Sequence, residues 1–326
     1  MSTPMTHKTS SPTILTFGEA MAMLVANTPG ELSGVESFHR RLAGADNNVA
    51  IGLSRLGFHV GWLSRVGNDS LGRFIQQTLK AEGIDDRYII EDAEHPTGLM
   101  FKERSENGAD PRVEYFRRGS AASHLCPDDA RAVDFETLDH LHATGITPAL
   151  SQSALALTRH LMQSARTKGA SVSFDPNLRP TLWESEETMR DTLNELAGLA
   201  DWVLPGLSEG RRLTGQDSPE AIADFYLERG AKAVIIKLGP EGSYYRGRLG
   251  STLESFTVAG QPVASVVDTV GAGDGFAVGA ISALLEGLTP KQALARGNLV
   301  GAQAVQVVGD MEGLPTREKL QTLEQR

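Results

Sequence analysis

Short apolar runs alternate along the chain with longer segments in which apolar residues recur at helical spacing. The short runs predict strands, and the longer segments predict helices. Strands are expected at 14–17, 60–63, 172–174, 202–204 and 234–236. Helices are expected at 47–56, 74–79, 155–165, 189–199, 221–229 and 277–285. Strands separated by helices are typical of βαβ units, so the pattern predicts an α/β fold with a mostly parallel sheet flanked by helices.

Two regions depart from this alternation. Residues 35–42 and about 86–118 contain β-type segments with no helix between them, including 97–103 and 113–116. The second region also contains Asn107-Gly108, a pair typical of hairpin turns. We interpret these regions as a small β-lid inserted into one domain that spans 13–320. An antiparallel edge of the main sheet is the alternative interpretation.

Composition narrows the possible partners and compartments. The chain has 31 Lys and Arg residues against 41 Asp and Glu residues, a net charge of −10, so we expect neither a nucleic-acid nor a membrane partner. Cys126 is the only cysteine, which excludes an intrachain disulfide and a cysteine metal cage. Residues 1–12 are predicted to form a disordered arm rich in Ser, Thr and Pro, without the apolar core of a signal peptide. We therefore expect a cytoplasmic protein.

The most distinctive local feature is the segment 266–276, in which a β-like run leads into a glycine-rich turn and then an apolar helix. In this turn, Gly271, Ala272 and Gly273 can direct backbone N–H groups toward one point. The start of the helix adds unpaired N–H groups and a partial positive charge. This arrangement suits a phosphate, or a phosphoryl group during its transfer.

Asp274 follows this turn at the start of the predicted helix, and two roles are open to it. Aspartate is a preferred helix N-cap, which is the structural interpretation. Alternatively, a carboxylate that faces an anion-binding turn can accept the proton of a substrate hydroxyl that lies between the two. A weak base suffices for this step, because phosphoryl transfer has a loose transition state.

Other common motifs are missing from the sequence. There is no GxxxxGK[ST] and no HExxH, and position 276, where a dinucleotide fingerprint needs its third glycine, is Phe276. His140 and His142 share one face of a predicted strand. We interpret them as core or surface histidines, because no third metal ligand is suggested.

Two separated motifs resemble those of the ribokinase-like (PfkB) carbohydrate kinases. They are the segment Asp268 to Asp274 (DTVGAGD) and the segment Ala43 to Ala50 (AGADNNVA), and the likeness runs from about residue 14 to residue 317. Within the family, 113–121, 145–150 and 175–183 are similar to the branch that phosphorylates 2-keto-3-deoxygluconate. The resemblance implies an α/β body with a β-lid, ATP and Mg²⁺ as co-substrate and cofactor, and transfer of phosphate to the terminal hydroxyl of a six-carbon keto acid.

The resemblance also implies roles for individual residues. Asp274 would be the catalytic base, and Arg179 would contact both the substrate and the transferring phosphate. Gly271, Ala272 and Gly273 would form the anion hole. The remaining substrate contacts would be Gly44, Asn48, Tyr115, Arg117 and Asp310, and ATP would meet Asn177, Lys237, Gly239, Gly242, Gly271 and Gly273. Glu209 would organise Mg²⁺ through water, and Asp268 would help to bind a monovalent cation.

The carboxylate of a keto acid gives the lid arginine a specific task. Arginine presents a planar fork of N–H donors that matches a carboxylate. Arg117 could therefore hold the acid end of the substrate, although a solvated strand end is the simpler interpretation of Arg117-Arg118. Three departures from the family pattern are Ala43, Met100 and Gly206, at positions where relatives carry Gly, Tyr and Asn.

Several functions remain open at this point. Within the fold, the chain could phosphorylate a neutral sugar, as a ribokinase or a fructokinase does, or 5-dehydro-2-deoxygluconate. From other classes, it could be a nucleotide-binding oxidoreductase or a sugar sensor without catalytic activity. The lid also offers unpaired strand edges through which a homo-oligomer could form.

Overall fold

The computed structural model describes residues 13–104, 111–267, 269–307 and 309–325. The strands of these residues are β1 (Thr13–Phe17), β2 (Met21–Pro29), β3 (Phe38–Ala43), β4 (His59–Gly67), β5 (Ile89–Asp92), β6 (Leu99–Arg104), β7 (Val113–Phe116), β8 (His140–Thr144), β9 (Ser171–Asp175), β10 (Trp202–Val203), β11 (Ala233–Lys237), β12 (Gly242–Gly247) and β13 (Glu254–Ala259). The helices are α1 (Ala45–Arg55), α2 (Ser70–Ala81), α3 (Gln152–Thr167), α4 (Glu186–Ala197), α5 (Leu207–Thr214), α6 (Pro219–Leu227), α7 (Ala272–Leu285), α8 (Pro290–Ala304) and α9 (Arg317–Glu324). All predicted strands and helices of the alternating part are present, with ends that differ by a few residues.

The main sheet of the described residues has the order β13-β12-β11-β10-β9-β8-β1-β4-β5. Strands β11 to β5 run parallel, and β12 and β13 continue the sheet in antiparallel fashion. Side chains alternate between two buried clusters, with Leu15 and Phe17 in one cluster and Ile14 in the other. Both faces of the sheet are therefore covered, which explains why its strands read as nearly continuous apolar runs.

A second sheet, with the order β3-β2-β6-β7, forms the lid. Its own core is small and consists of Met21, Met23, Val25, Ala43 and Met100. The prediction of a lid is confirmed in outline by this sheet, but the predicted segment 86–118 was too long, because β5 pairs with β4 in the main sheet. The prediction also omitted β2, whose apolar residues pack inside the lid. The predicted turn at Asn107-Gly108 and the predicted arm at 1–12 lie outside the described residues.

The described chain passes between the main sheet and the lid at four crossings. These are residues 18–20 after β1, residue 44 after β3, residues 93–98 after β5 and residues 117–120 after β7. The crossings are the only described backbone that joins the two sheets. Any movement of the lid must therefore be accommodated there.

The fold also answers two smaller expectations from the sequence. The β-like run at Val266-Val267 is not a strand: both residues are about half exposed, and the N–H group of Val267 bonds the carbonyl of Val305 at 2.8 Å. His140 and His142 are fully buried core histidines that bond the hydroxyl of Ser173 at 2.9 and 2.8 Å. Every helix among the described residues is too short or too polar to span a lipid bilayer.

Candidate active site

A cavity of about 550 Å³ lies between the inner face of the lid and the carboxyl ends of the main-sheet strands. This is the edge at which parallel α/β sheets bind their ligands. The cavity is lined from the lid by Met100, Lys102, Val113, Tyr115 and Arg117, and from the body by Asn48, Asn177, Arg179, Glu209, Lys237, Gly271, Gly273, Asp274 and Asp310. Residues far apart in the sequence, from Glu19 to Asp310, thus meet around one space.

Asp274 occupies the third position of α7, whose N-cap is Gly271. The carboxylate of Asp274 does not cap the helix; instead it accepts a hydrogen bond of 2.8 Å from the side-chain amide of Asn48. Asn177 approaches its other oxygen at 3.5 Å. Burial raises the pKa of Asp274 to about 7, although the bond from Asn48 opposes this shift. The side chain is thus oriented by a neighbouring helix and faces the cavity.

The glycine turn beside Asp274 needs a residue without a side chain. Gly271 has φ +80°, and a Cβ at this position would lie 2.5 Å from the carbonyl oxygen of Asp310. The turn leaves the first N–H groups of α7 without acceptors inside the helix. Lys237 lies close by, with its Nζ 3.5 Å from where a Cβ of Gly273 would stand. Backbone dipoles and an ammonium group therefore converge on one point, as an anion requires.

Lys237 is held in place by a buried carboxylate at the end of the neighbouring strand. Its Nζ lies 2.6 Å from Oδ2 of Asp175. Burial by itself would lower the pKa of Lys237, but the carboxylates of Asp175 and Glu209 outweigh burial, and the pKa is raised. The side chain therefore carries a positive charge at neutral pH.

The loop after β9 supplies two further predicted residues. Asn177 has φ +39°, an uncommon conformation for a residue other than glycine, and its N–H group bonds Asp175 at 3.1 Å. Arg179 is exposed at the cavity mouth and donates to the carbonyl of Leu178 at 2.9 Å. Its guanidinium is therefore close to the cavity and open to solvent.

Glu209 is a half-buried residue with a clear structural role. Its two carboxylate oxygens accept backbone N–H groups from Leu178 at 2.8 Å and from Gly206 at 2.7 Å. The second contact belongs to the capping box of α5. Gly206, the departure from the family pattern, is the N-cap of that helix, and a Cβ there would lie 3.1 Å from Glu209.

The lid contributes cationic and aromatic groups. Arg117 is 9% exposed and forms an ion pair with Glu19, whose side chain is 1% exposed. Tyr115 is 49% exposed, and its ring lies 5.9 Å from the guanidinium carbon of Arg117. Met100 stands opposite Tyr115 on the neighbouring strand. The lid therefore brings Arg117 to the cavity, but the guanidinium already has a carboxylate partner.

Two further predicted substrate contacts lie in the cavity wall. Gly44, with φ +145°, is the N-cap of α1, and a Cβ there would lie 2.5 Å from the carbonyl oxygen of Glu19. Asp310 is buried and lies 3.8 Å from Nζ of Lys102, a buried lysine of the lid. Gly44 is thus required by the backbone itself, whatever contact it makes with a ligand.

Some predicted residues are not brought to this cavity. Among the described residues that line it, Gly239, Gly242 and Ala272 are missing. Gly242 has φ +108° and packs directly against Val258 of β13, so its lack of a side chain has a structural reason. The N–H group of Ala272 approaches the carbonyl of Thr269 at 3.4 Å. Asp268 lies outside the described residues.

Four residues in or beside the cavity have no role among the sequence predictions: Glu19, Asp46, Lys102 and Asp175. Burial is the largest influence on Asp46 and raises its pKa to about 8. The sequence could have indicated Asp46 as a site residue, because it lies within AGADNNVA, directly before the two asparagines. For Glu19 and Asp175, the available signal was an acidic residue two positions after an apolar strand or at the last position of one.

Comparisons with known proteins agree with this geometry. Residues 11–317 match the pfkB family of carbohydrate kinases. The chain is 54% identical over 307 residues to 2-dehydro-3-deoxygluconokinase of Bacillus subtilis (strain 168), covering 94% of this chain and 93% of the relative. It is 32% identical to 2-dehydro-3-deoxygluconokinase of Thermoproteus tenax, with coverages of 95% and 93%.

Solved structures show the same fold. The crystal structure of a PfkB protein from Polaromonas sp. JS666 has a TM-score of 0.87 at 52% identity, covering 95% of this chain and 99% of that one. A protein from Escherichia coli, provisionally assigned as a ribokinase and crystallised with ATP and Mg²⁺, has a TM-score of 0.87 at 28% identity, with coverages of 97% and 99%. With a match over most of its length, this chain belongs to the pfkB family of carbohydrate kinases.

Proposed function

We propose that this protein transfers the γ-phosphoryl group of ATP to the terminal hydroxyl of 2-keto-3-deoxygluconate. One observation carries the proposal: the buried carboxylate of Asp274 faces a cavity that has a glycine turn and Lys237 on one side and Arg117 on the other. The identity of 54% to a kinase named for this substrate supports the choice of sugar acid.

In the proposed reaction, Asp274 accepts the proton of the acceptor hydroxyl as its oxygen forms a bond to the γ-phosphorus. The bond between that phosphorus and the bridging oxygen of ADP breaks, and ADP leaves. The N–H groups at the turn of Gly271 and Gly273, together with Lys237, oppose the negative charge on the phosphoryl oxygens. Asn48 keeps the carboxylate of Asp274 turned toward the acceptor oxygen.

The residues near Glu209 fit Mg²⁺ only through water. Both carboxylate oxygens of Glu209 accept backbone N–H groups, and Asp175 is paired with Lys237, so these contacts favour a metal held through water over direct ligation. Mg²⁺ keeps several waters in phosphoryl-transfer sites and needs few protein carboxylates. Bound with ATP, it would neutralise phosphate charge.

We also propose that a monovalent cation binds beside Asp268 and Thr269. Comparing the reaction rates in potassium and in choline salts tests this.

Phosphorylation of a neutral sugar is the second candidate function. The pairing of Arg117 with Glu19 favours it, because a guanidinium that already has a carboxylate partner does not require a second carboxylate on the substrate. Two groups could bind a substrate carboxylate and so distinguish a sugar acid from a neutral sugar. They are the remaining N–H donors of Arg117 and the exposed guanidinium of Arg179 at the cavity mouth.

We also propose that the lid mediates self-association. Its outer face carries Phe38, Phe101 and Phe116, whose rings meet edge to face at centroid distances of 5.2 and 5.7 Å. Phe116 is 58% exposed. A second copy of the chain would cover this aromatic face, and sedimentation of the wild type and of Phe116→Glu tests this.

The deciding experiment incubates the protein with Mg-ATP and a panel of acceptors, followed by mass spectrometry of the products. The panel contains 2-keto-3-deoxygluconate, 5-dehydro-2-deoxygluconate, fructose and ribose. We expect the highest kcat/KM with 2-keto-3-deoxygluconate and a phosphate on its terminal oxygen. A higher value with fructose or ribose would contradict the proposal and favour the neutral-sugar candidate.

A further inference from the structure

Glu19 is the residue at which the crossings between the main sheet and the lid converge. It belongs to the first crossing, between β1 and β2, and its side chain is 1% exposed. An acidic side chain is rarely buried so completely unless it is paired. Its surroundings therefore indicate what it holds together.

The fourth crossing binds the carboxylate of Glu19 directly. Nη2 of Arg117 pairs with Oε2 of Glu19, and the hydroxyl of Ser120 donates to Oε1. These partners lie about a hundred residues further along the chain. Both ends of the fourth crossing are thus tied to the first.

The other two crossings approach Glu19 through glycines. In the third crossing, a Cβ on Gly98 would lie 2.7 Å from Oε1 of Glu19, and in the second, a Cβ on Gly44 would lie 2.5 Å from its carbonyl oxygen. The N–H group of Ala22 also bonds the carbonyl of Gly98 at 3.1 Å. All four crossings therefore pack against one buried acid.

We propose that Glu19 is a positioning residue: its carboxylate fixes Arg117 at the cavity wall and ties the lid to the main sheet. The lid guanidinium is then presented to the anionic end of the acceptor, an inference that rests on the proposed sugar-acid function. Nε of Arg117 has no hydrogen-bond acceptor among the described residues, and Nη2 meets Oε2 of Glu19 as an ion pair outside hydrogen-bond geometry. A guanidinium has five N–H donors, so the contact with Glu19 leaves donors for a substrate carboxylate.

The test is a double-mutant cycle of Glu19→Gln and Arg117→Met, assayed with 2-keto-3-deoxygluconate. The glutamine keeps the shape of the side chain but removes its charge. We expect Glu19→Gln to raise KM for the sugar acid about tenfold, with kcat changed less than about threefold, because an interaction that orients a binding group acts mainly on KM. The KM for ATP should not change.

The cycle separates positioning from a general structural effect. If Glu19 acts through Arg117, adding Glu19→Gln to Arg117→Met raises KM by less than about twofold further. A full tenfold effect in the double variant would overturn the inference. The matched control is Glu114→Gln, an exposed acid on β7 of the lid, for which we expect wild-type constants.

Thermal unfolding tests the link between Glu19 and Arg117 in the absence of substrate. Glu19→Gln should lower Tm by several degrees, because it leaves a buried guanidinium beside a neutral group. The double variant should recover most of that loss in Tm, and additive losses would overturn the inferred link between Glu19 and Arg117.

The two hypotheses can fail separately. If the wild type phosphorylates only neutral sugars, the proposed function fails, and the unfolding cycle alone decides whether Glu19 holds Arg117. If the sugar acid is the substrate and Glu19→Gln is silent in both measurements, the inference fails while the function stands.

Discussion

The two walls of the cavity are held in different ways. On the body wall, the two charged groups next to the glycine turn are fixed by close neighbours: Asp274 by Asn48 at 2.8 Å and Lys237 by Asp175 at 2.6 Å. The lid wall belongs to a small sheet with a core of a few apolar side chains, and its Arg117 depends on the acid at the crossings. The body wall is therefore preorganised for phosphoryl transfer, whereas the lid wall is suited to choosing the acceptor.

The most damaging change on the body wall should be Asp274→Asn. The amide keeps the shape of the side chain but cannot accept the proton of the hydroxyl, so we expect kcat to fall about 10²–10⁴-fold, the usual contribution of a general base. Binding of ATP, measured by calorimetry, should persist. Near-normal turnover would show that the body wall does not supply the base.

On the lid wall, Arg117→Ala should act on the choice of substrate. A charge-assisted hydrogen bond is worth about 1.5–3 kcal/mol, so kcat/KM for the sugar acid should fall about 10- to 150-fold. The kcat/KM for fructose should change far less. Arg118→Ala, at the exposed neighbouring position, is the matched control. Equal losses of kcat/KM for both substrates would contradict the hypothesis that Arg117 binds the substrate carboxylate.

The pH dependence of kcat/KM should come from Asp274 on the body wall and not from the lid. Burial raises the pKa of Asp274 to about 7, so the carboxylate is protonated and inactive below that pH. We expect kcat/KM to fall about tenfold per pH unit below about pH 7 and to level off above it. Measured profiles of the wild type and Arg117→Ala should share this midpoint. A midpoint near pH 4 would contradict the assignment of the buried base.

The smallest expected effect is that of Tyr115→Phe. The ring is half exposed, so its hydroxyl competes with water, and a single neutral hydrogen bond contributes about 0.5–1.5 kcal/mol. KM for the sugar acid should rise between about twofold and twelvefold, with kcat unchanged. A fall in kcat that matches the rise in KM would instead assign the hydroxyl a role in the transition state.

The sequence predicted the body better than the lid. Strands such as 172–174 and helices such as 277–285 follow from apolar periodicity, which is a local property. The lid was recognised from the loss of that periodicity, but β5 was assigned to the wrong sheet and β2 was omitted. A short β-type run has the same pattern in either sheet, so its partner cannot be predicted from the run itself.

The candidate site shows the same division. Asp274 and the glycine turn were predicted because the motif that contains them is local. Its apolar run, turn and helix start lie within about ten residues. The apolar run proved to be exposed loop, yet the turn and helix start remained. Glu209 was predicted to organise Mg²⁺ through water, and the structure adds a second role, because its two oxygens accept backbone N–H groups.

By itself, the sequence determined the α/β architecture, the phosphate-suited turn with its adjacent acid, and the likeness to a kinase family, because each is written in neighbouring residues. Only the tertiary structure decided that Glu19 meets Arg117 and that burial raises the pKa of Asp46 and Asp274. Ion pairing and desolvation depend on distances and burial between segments far apart in the chain, which are established only when those segments pack together.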